Sequence, residues 1–171
     1  MTIFAIDPGP TNSGVVHWHH LEQQVIWADA AVENHFLLDL LRMRGGIDLI
    51  ACECIEALYA HVGKETVRTI RFCGRIEEAA YTRNIRFVGM SPQEVKKLVC
   101  GTSSAKDPAV RQALIDRLGP PGTKKTPGRT YGVSSHAWRA LAVAIATQEM
   151  LPNAIGEARA DSATSPKPPT Q

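Results

Sequence analysis

The succession of hydrophobic periodicities predicts an α/β protein with a mixed five-stranded sheet, a three-strand meander plus two parallel strands, flanked by helices. Three observations carry this. An apolar run, Ile3–Ile6, ends on Asp7 and turns through Pro8-Gly9-Pro10 back into a second apolar run at Val15-Val16. A later short run, Leu49-Ile50-Ala51-Cys52, also ends on an acid, Glu53. Between and after these runs, helical spacing takes over, with recognisable start signals.

Residues 2–6 and 13–19 are expected to pair as antiparallel strands, with Gln24–Ala28 as the third strand of the meander. Phe36, Leu37, Leu40, Leu41 and Met43 follow helical spacing, and Gly45-Gly46 stops that helix. Asp48–Cys54 reads as a buried strand parallel to the first. A long helix over Lys64–Tyr81 and a strand over Ile85–Val88 follow. Ser91-Pro92-Gln93-Glu94 is a capping box with proline at the first helical position, so a helix starts there. Asp107-Pro108 opens another, running to Leu118. Gly119–Gly132, rich in Gly, Pro, Lys and Thr, reads as an exposed loop. Ser134 or Ser135 is expected to cap a last helix whose inner face is Ala137, Leu141, Ala144 and Ile145. Beyond Pro152 periodicity ends, which divides the chain into a domain over residues 1–151 and an unstructured tail over 152–171.

The chain has 171 residues, enough for one domain with a full core. No apolar stretch approaches the ~20 residues of a membrane span, and the N-terminus lacks a basic-then-apolar leader, so a cytoplasmic protein is expected. The four cysteines suit a reducing compartment. All are read as core or near-surface residues, with Cys52 and Cys54 on opposite faces of their strand and unable to share zinc. Net charge is +2 but segregated: residues 1–60 carry eight acids and two bases, residues 61–151 fifteen bases and seven acids. A basic second half suits a polyanion, and an acidic first part suits a cation.

If the two acid-ended strands lie side by side, Asp7 and Glu53 meet at one sheet edge as a hard-oxygen site for Mg²⁺ or Mn²⁺. An Asp before Pro-Gly is also an ordinary turn residue. Glu53 is harder to dismiss, because a glutamate closing a buried strand is costly without a partner. His136, at the start of the last helix, is the candidate third ligand. Trp18, Trp27 and Tyr81 read as core or sheet-face aromatics, Trp138 as packing, and Tyr59 as either packing or a stacking surface for a base.

The turn Ile6-Asp7-Pro8-Gly9 resembles the first motif of the RuvC-like Holliday-junction resolvases, whose fold is RNase H-like. Cys52-Glu53-Cys54-Ile55, with Gly63-Lys64-Glu65 and Gly74-Arg75 downstream, resembles the second motif, particularly of phage members. Thr102–Asp107 with Val110–Asp116, Gly122–Lys125 and Tyr131–Ser134 are similar to those members too. His136–Ala144 resembles the helix carrying the family's last metal ligands, so the similarity spans about residues 1 to 151. The resemblance implies that Asp7, Glu53 and His136 are catalytic and ligate two divalent ions, Mg²⁺ or Mn²⁺. It implies hydrolysis of four-way or branched DNA to leave a 5′-phosphate, a homodimer, and a phage or prophage origin with action in a bacterial cytoplasm. Arg139 departs from the pattern: many relatives have a further acid there, and guanidinium does not bind a cation.

Lys96, Lys97, Lys106, Arg111, Lys124, Lys125 and Arg129 are the expected phosphate contacts, with Arg139 a further candidate. Two alternatives stand beside the nuclease. One is a junction-binding protein of the same fold without turnover, which Arg139 would suit. The other is an actin-like ATPase fragment, whose phosphate-binding hairpin Asp7–Gly14 resembles. Calorimetry with ATP separates that last reading.

Overall fold

The computed structural model describes residues 1–55 and 62–162, with side chains as far as Leu151. Tyr59 lies outside the described residues. The first apolar run forms β1 (Thr2–Asp7), followed by β2 (Asn12–His19) and β3 (Gln24–Glu33). Helix α1 (Asn34–Met43) leads to β4 (Leu49–Glu53), α2 (Lys64–Thr82) and β5 (Arg86–Met90). Then come α3 (Pro92–Cys100), α4 (Asp107–Leu118) and α5 (Ala137–Ser162).

The strands form one mixed sheet in the order β3-β2-β1-β4-β5. The meander is antiparallel, while β4 and β5 run parallel to β1 and to each other. The expected α/β architecture is present. β3 outruns its predicted end at Ala28 by five residues. Register shifts between Ser13 and Val15 and between His17 and Trp18 disturb its pairing with β2, and this blurs the alternation a reader of sequence relies on.

Alternation along the strands builds two cores. Ile3, Ala5, Leu49 and Ala51 face α5, whereas Phe4, Ile6, Ile50 and Cys52 face α1 and α2. α5 is the central helix. From Ala140 to Thr147 it is buried at every position, between the sheet on one side and α3 and α4 on the other. A helix apolar all round belongs inside, and its many alanines let both layers come close. Trp18, fully buried, fixes it by donating from Nε1 to Gln148 Oε1 at 2.9 Å.

α3 carries the predicted capping box: Ser91 Oγ accepts from the Glu94 N–H, and the Ser91 N–H donates to Glu94 Oε2 at 2.7 Å. Neither Ser134 nor Ser135 caps α5 with its hydroxyl; their carbonyls take the N–H groups of Ala137 and Trp138. The helix therefore starts after His136 and runs through Pro152 to Ser162, over part of the stretch expected to be unstructured. Tyr81, expected in the core or on a sheet face, is 81% exposed on the outside of α2.

The 119–136 segment is not a plain loop. Gly122 and Pro127 pair in a small hairpin, closed by the Gly128 N–H donating to the Pro121 carbonyl at 2.8 Å. Gly128 is needed there, because a Cβ would sit 2.2 Å from the Pro120 carbonyl oxygen. The Arg129 carbonyl then accepts from the Val25 N–H, tying the segment to the start of β3.

Candidate active site

Asp7 is the last residue of β1 and Glu53 the last of β4. Ile6 stands opposite Cys52 in the parallel ladder, so the two acids are the next step of the same register. Each side chain points toward α5, one strand spacing of about 4.8 Å apart in backbone. Both are buried, at 7% and 6% exposure.

The turn that follows Asp7 is braced from outside. Asn34, first residue of α1, donates to the Gly9 carbonyl at 2.9 Å and accepts from Ser13 Oγ at 2.8 Å. Gly9 packs so tightly that a Cβ would meet the Asn12 carbonyl oxygen at 2.3 Å. The acid is thus held on a rigid corner.

The third wall is the start of α5. Gly14, paired with Asp7 across β1 and β2, lies directly against His136. A Cβ at Gly14 would be 2.6 Å from the His136 carbonyl oxygen. This places His136 Nδ1 3.5 Å from Asp7 Oδ2, with the imidazole 66% exposed. One turn on, Arg139 reaches inward: Nη2 donates to Glu53 Oε1 at 2.6 Å, and Nε lies 3.6 Å from Asp7 Oδ1. The positive end of the helix dipole faces the acids as well.

The sequence thus brought Asp7, Glu53 and His136 to one place, but it missed the arginine's role. Arg139, expected at a DNA phosphate, fills the space between the carboxylates. Burial pushes the Asp7 carboxyl above its ordinary value, against the opposing charges of Arg139 and His136. Burial also pushes up Glu53, with Arg139 opposing and Asp7 adding to the rise. In turn the two acids hold the Arg139 guanidinium above its ordinary value, despite its own desolvation.

Two further groups sense the site. Lys96, half-buried on α3, lies close enough to Glu53 for its charge to favour the carboxylate. Asp107, at the start of α4, acts on both Asp7 and Arg139. Sequence reasoning used Asp107 only as a helix opener; its spacing from Glu53 and His136 gave no signal. A cavity of about 780 Å³ runs from Asp107 past Arg111 and Trp138 to His136 and Arg139. Arg111 stacks its guanidinium 5.3 Å over the Trp138 ring, at the wall of this cavity.

Lys97, Lys106, Lys124, Lys125 and Arg129 are exposed. Arg129 is docked by its main chain at Val25, which pairs with Trp18 and through it with Ile3. That is four residues of β1 below Asp7, about 13 Å at strand rise. The hairpin with Lys124 and Lys125 therefore springs from the opposite end of the sheet from the acids.

A structure of Thermus thermophilus RuvC matches with a TM-score of 0.66 and 19% identity, over 90% of this chain and 97% of that one. The fold is that of RuvC. A second structure, T. thermophilus RuvC in complex with Holliday junction substrate, matches with a TM-score of 0.61 and 20% identity, over 85% and 92% of the two chains. No protein-family model and no curated protein sequence matches. The mixed five-stranded sheet with flanking helices is thus an RNase H-like fold, shared with RuvC over nearly the whole length of both chains. In this RuvC fold the two acids stand at the ends of adjacent parallel strands, and the first turn of α5 closes over them. Among the described residues no helix is long and apolar enough to cross a membrane.

Proposed function

We propose that this chain is a metal-dependent, structure-selective endodeoxyribonuclease acting on four-way or branched DNA. One observation carries it: two buried acids, Asp7 and Glu53, end adjacent parallel strands on the same face, with a basic side chain as their counter-charge. Burying both without chemistry to perform is costly. The solved neighbour that holds Holliday junction substrate supports the choice of DNA.

The donor set fits Mg²⁺ or Mn²⁺, since two carboxylates and one imidazole are hard or borderline ligands. Asp7, Glu53 and His136 would hold the ions. When bound, such ions supply a nucleophile at neutral pH and stabilise the leaving oxygen. The chain's own residues do the rest. The braced corner at Gly9 and Asn34 fixes Asp7, so ligand geometry is set before substrate arrives. Arg139 is the counter-charge of the acids in the absence of an ion and must leave them for one to enter. Once released it is placed at the rim of the cavity, next to Arg111, where a phosphate is the natural partner. Lys96 then remains as a more distant positive charge acting on Glu53.

Lys97, Lys106, Arg111, Lys124, Lys125 and Arg129 would contact backbone phosphates and set affinity and salt dependence. A homodimer suits symmetric cutting of two strands. A phage or prophage origin, a bacterial cytoplasmic setting and 5′-phosphate products complete the reading.

A second reading rests on the 2.6 Å contact between Arg139 and Glu53. A protein whose acids are already paired binds junctions without cutting them. Labelled four-way junction, linear duplex and structured RNA, each with and without Mn²⁺, decide between these. Nicking of the junction that needs Mn²⁺ and disappears in Asp7→Asn is the expected result. A gel shift of the junction without nicking would establish the binder instead.

A further inference from the structure

Behind Glu53, on the opposite face of the sheet, three thiols converge. Sequence reasoning placed Cys52 and Cys54 on opposite faces; strand alternation does the reverse, because residues i and i+2 share a face. Glu53 looks toward α5, while Cys52 and Cys54 look toward α2. The Cys54 N–H donates to the Met90 carbonyl at 2.8 Å, which carries the ladder one step past the end of β4. Gly89 on β5 leaves room for the sulfur, since a Cβ there would stand 3.2 Å from Cys54 Sγ. Cys73 enters from the middle of α2. All three Sγ atoms lie within 4.8 Å of one another. Cys52 and Cys73 both sit 3.8 Å from the Glu53 carbonyl oxygen.

We propose that Cys52, Cys54 and Cys73 form a site for one thiophilic cation of the zinc class. A tetrahedral ion with Zn–S bonds of about 2.3 Å holds its sulfurs about 3.8 Å apart, so the trio needs to close by no more than about 1 Å. Rotation of three short side chains supplies that. No further His, Cys, Asp or Glu joins the group among the described residues. Half-exposed Cys54 leaves the fourth position open on the solvent side. Thiolates select Zn²⁺, Cd²⁺ or Cu⁺ and reject Mg²⁺ and Mn²⁺. The sheet thus separates two classes of cation, hard on the α5 face and soft on the α2 face. Two of the sulfur ligands are the chain neighbours of Glu53, so the soft ion clamps the strand end that aims this carboxylate. Binding of the soft ion does not depend on whether the chain cuts DNA.

The test uses the full chain, reduced and stripped of metal, titrated with Cd²⁺ while thiolate-to-metal absorption is followed in the near ultraviolet. Oxygen and nitrogen ligands give no such band, so the acid site does not interfere. One equivalent is expected to saturate the band in the parent chain and in Cys100→Ser. Cys73→Ser is expected to lose it, and Cys54→Ser to bind at least tenfold more weakly. Cys54 is half-exposed, so its variant is the one that keeps its fold if Cys73→Ser does not. Zn²⁺ is expected to raise the melting temperature of the parent chain more than that of Cys54→Ser, since any Zn²⁺ held by the acid site acts on both alike. Absence of the band in the parent chain, or equal affinity in Cys54→Ser, overturns the proposal and leaves the trio as plain packing.

Discussion

Arg139 brings one positive charge to two buried negative ones, and the imbalance has measurable consequences. Its side chain is one-third exposed, so its loss costs less than that of a fully buried partner. Arg139→Gln in metal-free buffer is expected to lower stability by about 2 kcal/mol, below the usual cost of orphaning a buried charge. Mn²⁺ should restore that stability, and calorimetry should show tighter Mn²⁺ binding than in the parent chain; equal affinities would mean that Arg139 does not compete with the ion. Asp7 is expected to behave in the opposite way. Burial holds both carboxyls above their ordinary 3.8 and 4.5, so the folded chain keeps protons that the unfolded chain has released. Stability from this source is present at low pH and is lost as pH rises through the raised values. Asp7→Asn removes one such group and leaves Glu53 paired with Arg139. Thermal melts from the mildly acidic range to neutrality are expected to show a flatter fall in Asp7→Asn, with a melting temperature at neutrality equal to or above that of the parent chain.

Among the elements, the contact between β2 and the start of α5 fixes the site more than any single ligand. Gly14→Ala would drive a methyl group to within 2.6 Å of the His136 carbonyl oxygen, which is main chain and has little freedom to yield. A loss of about 1–3 kcal/mol is expected, in the range of overpacked cores, with weakened Mn²⁺ binding alongside. Chemical denaturation and calorimetry check the two effects separately. The same junction explains what the sequence left hidden. Asp7 and Glu53 were legible because each closes an apolar run, and parallel register then joins them. The inward reach of Arg139 was not, because a guanidinium does not bind a cation and was assigned to a DNA phosphate, whereas burial of the two acids calls for a counter-charge. With α5 beginning at Ala137, His136 falls before the helix and stays open to solvent, while Arg139 reaches inward. The cysteine trio was lost to a misjudged alternation, and the far half of β3 to two irregularities in its pairing with β2.

For the molecule as a whole, charge and architecture coincide. The acidic first part of the chain supplies the strand ends, and the basic second part supplies α3, α4 and the hairpin. Junction binding is therefore expected to weaken steeply with salt. Lys124→Ala with Lys125→Ala should lower the slope of log affinity against log salt by close to 2, at about 0.9 per phosphate contact, without changing Mn²⁺ affinity. An unchanged slope would place the hairpin off the DNA path, as its origin at the foot of β3 allows. The division of the site between two kinds of scaffold also bears on how such proteins diverge. The acids at 7 and 53 are locked by backbone ladders and burial, so exchanging them disturbs packing and chemistry together. Positions 136 and 139 stand where a helix begins at the rim of a cavity, and a change there rewrites the charge of the site while the core goes unaltered. A single codon at 139 is enough to move the local charge by two, from arginine to an acid. The charge of the site is thus set by positions that the strand ladders do not constrain.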